Sequence, residues 1–220
     1  GRRVVITAGG THEALDPVRF IGNRSSGKMG VALAEAALDL GADVTLIHGP
    51  LAVSIPWGVQ TLAVESAQQM CDAVLAQQAS TDVLIGAAAV ADFRPAAVAE
   101  QKIKKLPGGG GLTIELVRNP DILAAVAAQR AVSGRPRLTV GFAAETENLH
   151  ANAQAKLAAK GLALIVANDV TASDAGFGVD TNRVTLLTPD SPPEALPLLS
   201  KAAVAAQIMQ RVVKLLLGPL

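Results

Sequence analysis

Arg3-Val-Val-Ile-Thr-Ala-Gly-Gly-Thr-His-Glu-Ala-Leu-Asp-Pro-Val-Arg-Phe-Ile-Gly-Asn-Arg-Ser-Ser-Gly-Lys-Met-Gly30 opens with a short apolar, β-branched run that stops at Gly9-Gly10. A helical pattern begins near Ser26 and continues through Val31, Leu33, Ala34, Ala37 and Leu38. The reading is strand, long loop, helix. Ser25 and Ser26 are good N-cap types, Gly27 lets a ligand approach the backbone, and the unpaired amides of a first helical turn attract anions. Gly9, Ser25, Ser26 and Gly27 are therefore candidates for a phosphate-binding site. The loop between strand and helix is longer than usual and carries Asp16, Arg19, Asn23 and Arg24, polar groups that need a reason to be held there.

The same alternation continues downstream. Asp43–His48, Val59–Val64 and Asp82–Ala87 read as strands, and Ser66 caps a helix running to Gln78. Leu138–Phe142 and Leu162–Val166 add two more strands, with helices at Glu147–Lys160 and, at the end, Ser200–Leu216. Val184–Thr188 and Ala195–Leu199 read as an edge pair. Strands alternating with helices define an α/β, doubly wound, Rossmann-like and mainly parallel sheet with helices on both faces. Half of the 220 residues are hydrophobic, mostly Ala, Val and Leu, which suits strands buried on both sides.

One region departs from that rhythm. Lys102–Lys105 and Leu112–Val117 read as two strands around Pro107-Gly-Gly-Gly-Gly111, a hairpin standing off the sheet. This gives a protruding arm over residues 98–118 within one domain spanning 1–220. Asn119-Pro-Asp121 then starts a helix, with Pro120 at its first position.

Composition excludes several classes. With 19 basic and 19 acidic residues the chain lacks the positive excess of an electrostatic nucleic-acid binder. No stretch approaches the roughly 18 apolar residues of a spanning helix, and no signal peptide is visible, so a cytoplasmic protein is expected. The strand starting almost at residue 1 is expected of a piece of a longer polypeptide. Cys71 has no partner for an internal disulfide and reads as a buried thiol on a helix face. His12, His48 and His150 have no metal-ligand spacing, and no serine sits in a G-x-S-x-G elbow. Gly22–Lys28 has most of the Walker A spacing, yet Met29 stands where magnesium needs a hydroxyl. Gly9-Gly-Thr11 does not continue as G-x-G-x-x-G, and the second strand ends in His48-Gly-Pro50 rather than an acidic residue, which argues against a dinucleotide site.

In an open sheet, ligands bind outside the carboxyl ends of the strands where strand order reverses, here between the first and fourth strands. Asp92 follows the fourth strand. Phe142 ends the fifth where a base could stack, and Lys156 and Lys160 share one face of the next helix.

Six blocks in order, Thr7–Gly30, Ala87-Ala-Ala-Val-Ala-Asp-Phe-Arg94, Lys102-Ile-Lys-Lys105, Asn119-Pro-Asp-Ile122, Gly141-Phe-Ala-Ala-Glu-Thr146 and Ala167-Asn-Asp169, closely resemble phosphopantothenoylcysteine synthetase. This family, also called phosphopantothenate–cysteine ligase, forms the ligase domain of the bacterial bifunctional coenzyme A biosynthesis enzyme. The departures are small: Gly10 and His12 occupy more variable positions, and the tail after about Val179 carries no motif. The resemblance implies joining of 4′-phosphopantothenate to cysteine, with CTP and magnesium, through an acyl-cytidylate. It implies that Ala88, Ala89, Asp92, Asn119, Pro120, Asp121, Ile122 and Phe142 hold the nucleotide, and that Lys156 and Lys160 contact its phosphates. Lys102 would carry the step that forms the intermediate, and the neighbouring Pro107–Gly111 run gives the expectation that it works on a mobile flap closing over CTP. Asn23 and Arg19 would bind the intermediate and help convert it. It further implies a homodimer joined through the arm, with each site completed across the interface, and fusion to an N-terminal flavin-dependent decarboxylase. The rival classes are a non-catalytic nucleotide-binding module and an NADPH- or flavin-dependent reductase on the same fold.

Overall fold

The structure, a computed structural model, describes residues 1–105, 111–145, 149–169, 176 and 178–218. From the amino end, β1 (Arg3–Ala8) leads into a short antiparallel pair, β2 (His12–Ala14) and β3 (Phe20–Gly22), and then α1 (Lys28–Asp39). β4 (Asp43–His48), β5 (Gln60–Ala63), α2 (Ala67–Gln78) and β6 (Val83–Gly86) follow. A second antiparallel pair, β7 (Phe93–Pro95) and β8 (Leu116–Arg118), precedes α3 (Ile122–Ser133), β9 (Leu138–Glu145), α4 (Leu149–Ala159) and β10 (Leu164–Asp169). The chain closes with β11 (Thr181–Asn182), β12 (Val184–Thr188), β13 (Ser191–Ala195), β14 (Leu199–Ser200) and α5 (Lys201–Leu217).

Eight strands form the central sheet in the order β13-β12-β10-β9-β6-β1-β4-β5, and those from β10 to β5 run parallel. Side chains alternate in direction along a strand, so β1 feeds two cores at once. Val4, Ile6 and Ala8 pack with α1 and α5, together with Leu46, Ile85, Val140 and Leu164 of the neighbouring strands. Val5 points the other way, into the layer of Met70, Cys71, Val74 and Val126 from α2 and α3. Truncating the fully buried Ile6 to alanine would therefore cost roughly 2–5 kcal/mol. The chain order starts at β1 and steps outward to either side, so the reversal of strand order falls between β1 and β6. No helix among the described residues is long and apolar enough to cross a membrane.

Four local expectations are corrected. First, Lys102–Lys105 is not a strand, and the strand expected at Leu112–Val117 is shortened to β8, which pairs with β7. The cause is visible at Ile103: its N–H donates to Asp16 and its C=O accepts from Arg19, so neither is available to a ladder. Residues 106–110, which hold most of the glycine run, lie outside the described residues. Second, the N-cap of α1 is Gly27 in the left-handed region (φ 77°), not Ser25 or Ser26, and no side chain caps the helix. Third, Asp121 caps α3 through Ala124 N–H (3.1 Å), so Pro120 precedes the cap instead of opening the helix. Fourth, β12 pairs with Ser191–Ala195, while Leu199 pairs with Asn182. Pro192 and Pro193 disguised that strand, but at a sheet edge their missing N–H groups leave no ladder unsatisfied.

Candidate active site

Above the carboxyl ends of β1, β6, β9 and β10 lies a cavity of about 410 Å³. Its floor is backbone stitched across the reversal point. Ala89 N–H donates to Gly9 C=O (2.8 Å), Ala88 N–H to Thr7 Oγ1 (3.2 Å) and Ala91 N–H to Thr11 Oγ1 (2.9 Å). Asn23 closes the same seam from the long loop. Its Nδ2 donates to Ala89 C=O, and its Oδ1 accepts from Ser25 N–H (3.0 Å). On the other side, Asn119 donates from Nδ2 to Ala91 C=O and from its backbone to Asp92 C=O, both at 2.8 Å.

One wall is the start of α1. Gly30 lies so close to β1 that a Cβ there would overlap Ala8, which lets the helix N-terminus descend onto the strand end. With Gly27 as a cap that offers no side chain, the first amides of α1 remain open toward the cavity, a ready anion site. The opposite wall is α3 and α4. Lys160 Nζ lies 2.9 Å from the Asp121 carboxylate. Burial alone would raise the Asp121 pKa, but Lys160 and the Ala124 amide outweigh it and hold the carboxyl below its ordinary value.

Of the expected residues, Asn23, Ser25, Ser26, Gly27, Ala88, Ala89, Asp92, Asn119, Pro120, Asp121, Ile122, Phe142, Lys156 and Lys160 all line this one cavity. Gly9 does not line it, yet at φ 79° it turns the chain beneath it and anchors Ala89. Arg19 and Lys102 do not line it either. Both are exposed, and they belong to one cluster fastened by Asp16.

Four lining groups escaped the sequence reading. Lys28 Nζ reaches the Asp180 carboxylate (2.6 Å), and Lys201 Nζ donates to the carbonyls of Gly176 (2.8 Å) and Val179 (2.6 Å). Burial, reinforced by the charge of Lys28, lowers the Lys201 pKa against the opposing pull of Asp180. Asn182 is buried beside them. Asn168 is buried with its Oδ1 lacking a hydrogen-bond partner among the described residues, an acceptor facing a ligand space. Lys28 and Asn168 stood inside quoted motifs and could have been found there. Lys201 sits on an ordinary amphipathic helix and gave no signal.

Four lysines and two aspartates thus surround the cavity, a balance that suits a polyanion. Magnesium finds no cage of its own: no group of three or more His, Cys, Asp or Glu could hold a metal among the described residues, and Asp121 is engaged by Lys160. Such a site fits magnesium only as a companion of ligand phosphates.

Fold and site together define a doubly wound α/β protein with a lysine-lined crevice at its topological switch point. The chain belongs to the family described as DNA/pantothenate metabolism flavoprotein C-terminal domain, which it matches over residues 1–216. It is 50% identical over 211 residues to the coenzyme A biosynthesis bifunctional protein CoaBC of Vibrio vulnificus, covering 96% of this chain and 52% of that protein. The chain therefore spans about half the length of the curated relatives it matches. Among solved structures, the C-terminal domain of a coenzyme A biosynthesis bifunctional protein CoaBC superposes with a TM-score of 0.82 at 42% identity, covering 98% of this chain and 96% of that one. A Cab2 mutant in complex with phosphopantothenate-cysteine shares the fold, with a TM-score of 0.74 at 19% identity over 98% of this chain and 87% of that one.

Proposed function

We propose that this chain is a phosphopantothenate–cysteine ligase acting in coenzyme A biosynthesis and using MgCTP. A free carboxylate does not acylate an amine, so the pantothenate carboxylate first attacks the α-phosphorus of CTP and expels pyrophosphate. The cysteine amine then attacks the acyl carbonyl of the mixed anhydride, loses a proton, and CMP departs. Two anions must meet in the first step, and the chain's contribution is positioning and positive charge.

The observation that carries this reading is the cavity at the β1/β6 reversal, where fourteen of the residues singled out in the sequence, eleven of them by resemblance, converge in a chain half identical to CoaBC proteins. The amides of α1 with Ser25, Ser26 and Gly27, and the ammonium groups of Lys156 and Lys160, would hold the triphosphate. Phe142, Asn119 to Ile122 and Asp92 would hold the nucleoside. Asn23 has a second Nδ2 hydrogen to offer an acyl oxygen as charge builds on it. Lys102 would neutralise charge at the α-phosphorus, and Arg19 would meet an anion of the acyl substrate.

Because Lys102 and Arg19 lie away from the cavity of their own chain, the homodimer fits naturally, with each site completed across the interface. Val18, Phe20, Phe93, Val98, Leu112 and Leu116 are exposed apolar residues on the arm of residues 98–118 and on the adjoining β2–β3 and β7–β8 pairs, which supports that face as the contact. The remaining half of the full protein would carry the flavin-dependent decarboxylase.

The test is a reaction without cysteine, followed by mass spectrometry. A phosphopantothenoyl-cytidylate adduct formed with release of pyrophosphate is the expected result. CTP bound but intact would identify a non-catalytic module, and bound flavin or NADPH would identify a reductase.

A further inference from the structure

Asp16 is a buried carboxylate outside the cavity, and it is not a bystander in its loop. Its Oδ1 accepts from the N–H groups of Val18 and Arg19, both at 2.8 Å, a local turn. Its Oδ2 does something of longer range. It accepts from Arg19 Nε (2.9 Å) and Nη2 (2.5 Å) and from Ile103 N–H (3.1 Å), a residue 87 positions away in sequence. Arg19 Nη2 in turn donates to Ile103 C=O (2.7 Å). Both backbone groups of Ile103 are thereby gripped by one ion pair. The carboxyl of Asp16 is held well below the usual carboxylate range, first by Arg19 and then, against the opposing effect of burial, by the amides of Val18, Ile103 and Arg19.

We infer that Asp16 is a positioning residue that fixes Arg19 and Lys102 at a set spacing, so that the two cations enter the site as one preassembled unit. The inference rests on the ligase reading above. Lys102 is joined to Ile103 by a single peptide bond, so its Cα cannot travel far while Ile103 is clamped. A lysine fixed at its root, instead of one riding on a mobile flap, approaches the α-phosphorus without the entropic loss of ordering a loop.

Asp16→Asn isolates the clamp. The amide oxygen can still accept from Val18 and Arg19 N–H, preserving the turn, while the new NH₂ faces three donors, Arg19 Nε, Arg19 Nη2 and Ile103 N–H. Three readouts on the full chain decide the matter. In a single turnover without cysteine, pyrophosphate release should fall roughly ten- to a hundredfold while CTP affinity stays within about twofold. Adding Lys102→Ala to Asp16→Asn should then slow it by less than about tenfold, against about a thousandfold in the wild type. Trypsin cleavage after Lys102, Lys104 and Lys105 should accelerate about tenfold, with cleavage on α5 after Lys214 unchanged.

Wild-type release of pyrophosphate, a weakened CTP affinity, fully multiplicative effects, or unaltered cleavage at Lys102 would each overturn the inference. A wild-type protein that releases no pyrophosphate would instead overturn the ligase reading and with it the catalytic half of the inference, and the trypsin comparison would then decide the clamp alone.

Discussion

The crevice and the arm are built on opposite principles. Around the crevice, backbone groups and short side chains fastened by strand ends form the floor, with Gly9, Ala88, Ala89 and Ala91 bonded across the reversal point, and Lys28, Lys156, Lys160 and Lys201 line the walls. On the arm, Lys102 and Lys104 are exposed, and the segment is attached to the body through Ile103 and through the short β7–β8 pair. The difference teaches that a ligand crevice can be inherited from the sheet itself, whereas, under the ligase proposal, the chemistry of joining two anions would be delivered by a separately held element. Affinity and rate should accordingly be separable by mutation.

Lys102→Ala offers the largest effect. Pyrophosphate release should fall by about a thousandfold with CTP affinity nearly unchanged, measured by rapid quench and by titration. An equal loss of affinity would erase the distinction between the two regions. Asn23→Asp should be next. It exchanges a donor for a carboxylate facing Ala89 C=O and any acyl oxygen, so the intermediate should still accumulate while its capture by cysteine slows about a hundredfold. Normal turnover would remove Asn23 from the second step.

The remaining two predictions concern stability and should leave CTP affinity alone. Asp82 sits at the amino ends of the strands, far along the sheet from the crevice. Burial would raise its pKa, but Arg3 N–H (3.0 Å) and Arg135 (2.5 Å), with the charge of Arg2, hold it below the ordinary 3.8. A depressed folded pKa means the unfolded chain takes up the proton first. The stabilisation is therefore present above about pH 4 and is lost as pH falls below it. Asp82→Asn should lower Tm by roughly 5–10 °C at pH 7 and flatten the acid side of the Tm–pH curve. An unchanged acid limb would contradict this. Ser66→Ala removes one half of the capping box with Gln69 on α2 and should lower Tm by about 2–4 °C with no change in turnover.

The sheet was legible because apolar, β-branched runs such as Val4-Val-Ile6 and the N-cap at Ser66 are local signals, and the reversal between the first and fourth strands follows from chain order. What stayed hidden was long-range. Lys102–Lys105 looked like a strand because its alternation is real, but the ion pair of Asp16 and Arg19 captures the backbone it would need. The β2–β3 pair was invisible within a loop read as irregular. Pro192-Pro193 masked β13, and Lys201 joins the cavity only because α5 folds back across α1. The cavity residues were largely found through resemblance, since nothing in Asn119 or Ala88 taken alone identifies a ligand.

The central claim is that the crevice between β1 and β6 grips a nucleoside triphosphate, and a crystal structure with CTP and magnesium tests it most directly. The account predicts phosphates against the first amides of α1, from Lys28 onward and beside Ser26 and Gly27, with the ribose toward Asp92 and the base between Phe142 and Asn119. CTP lodged away from β1 and β6, with those amides facing only solvent, would contradict it.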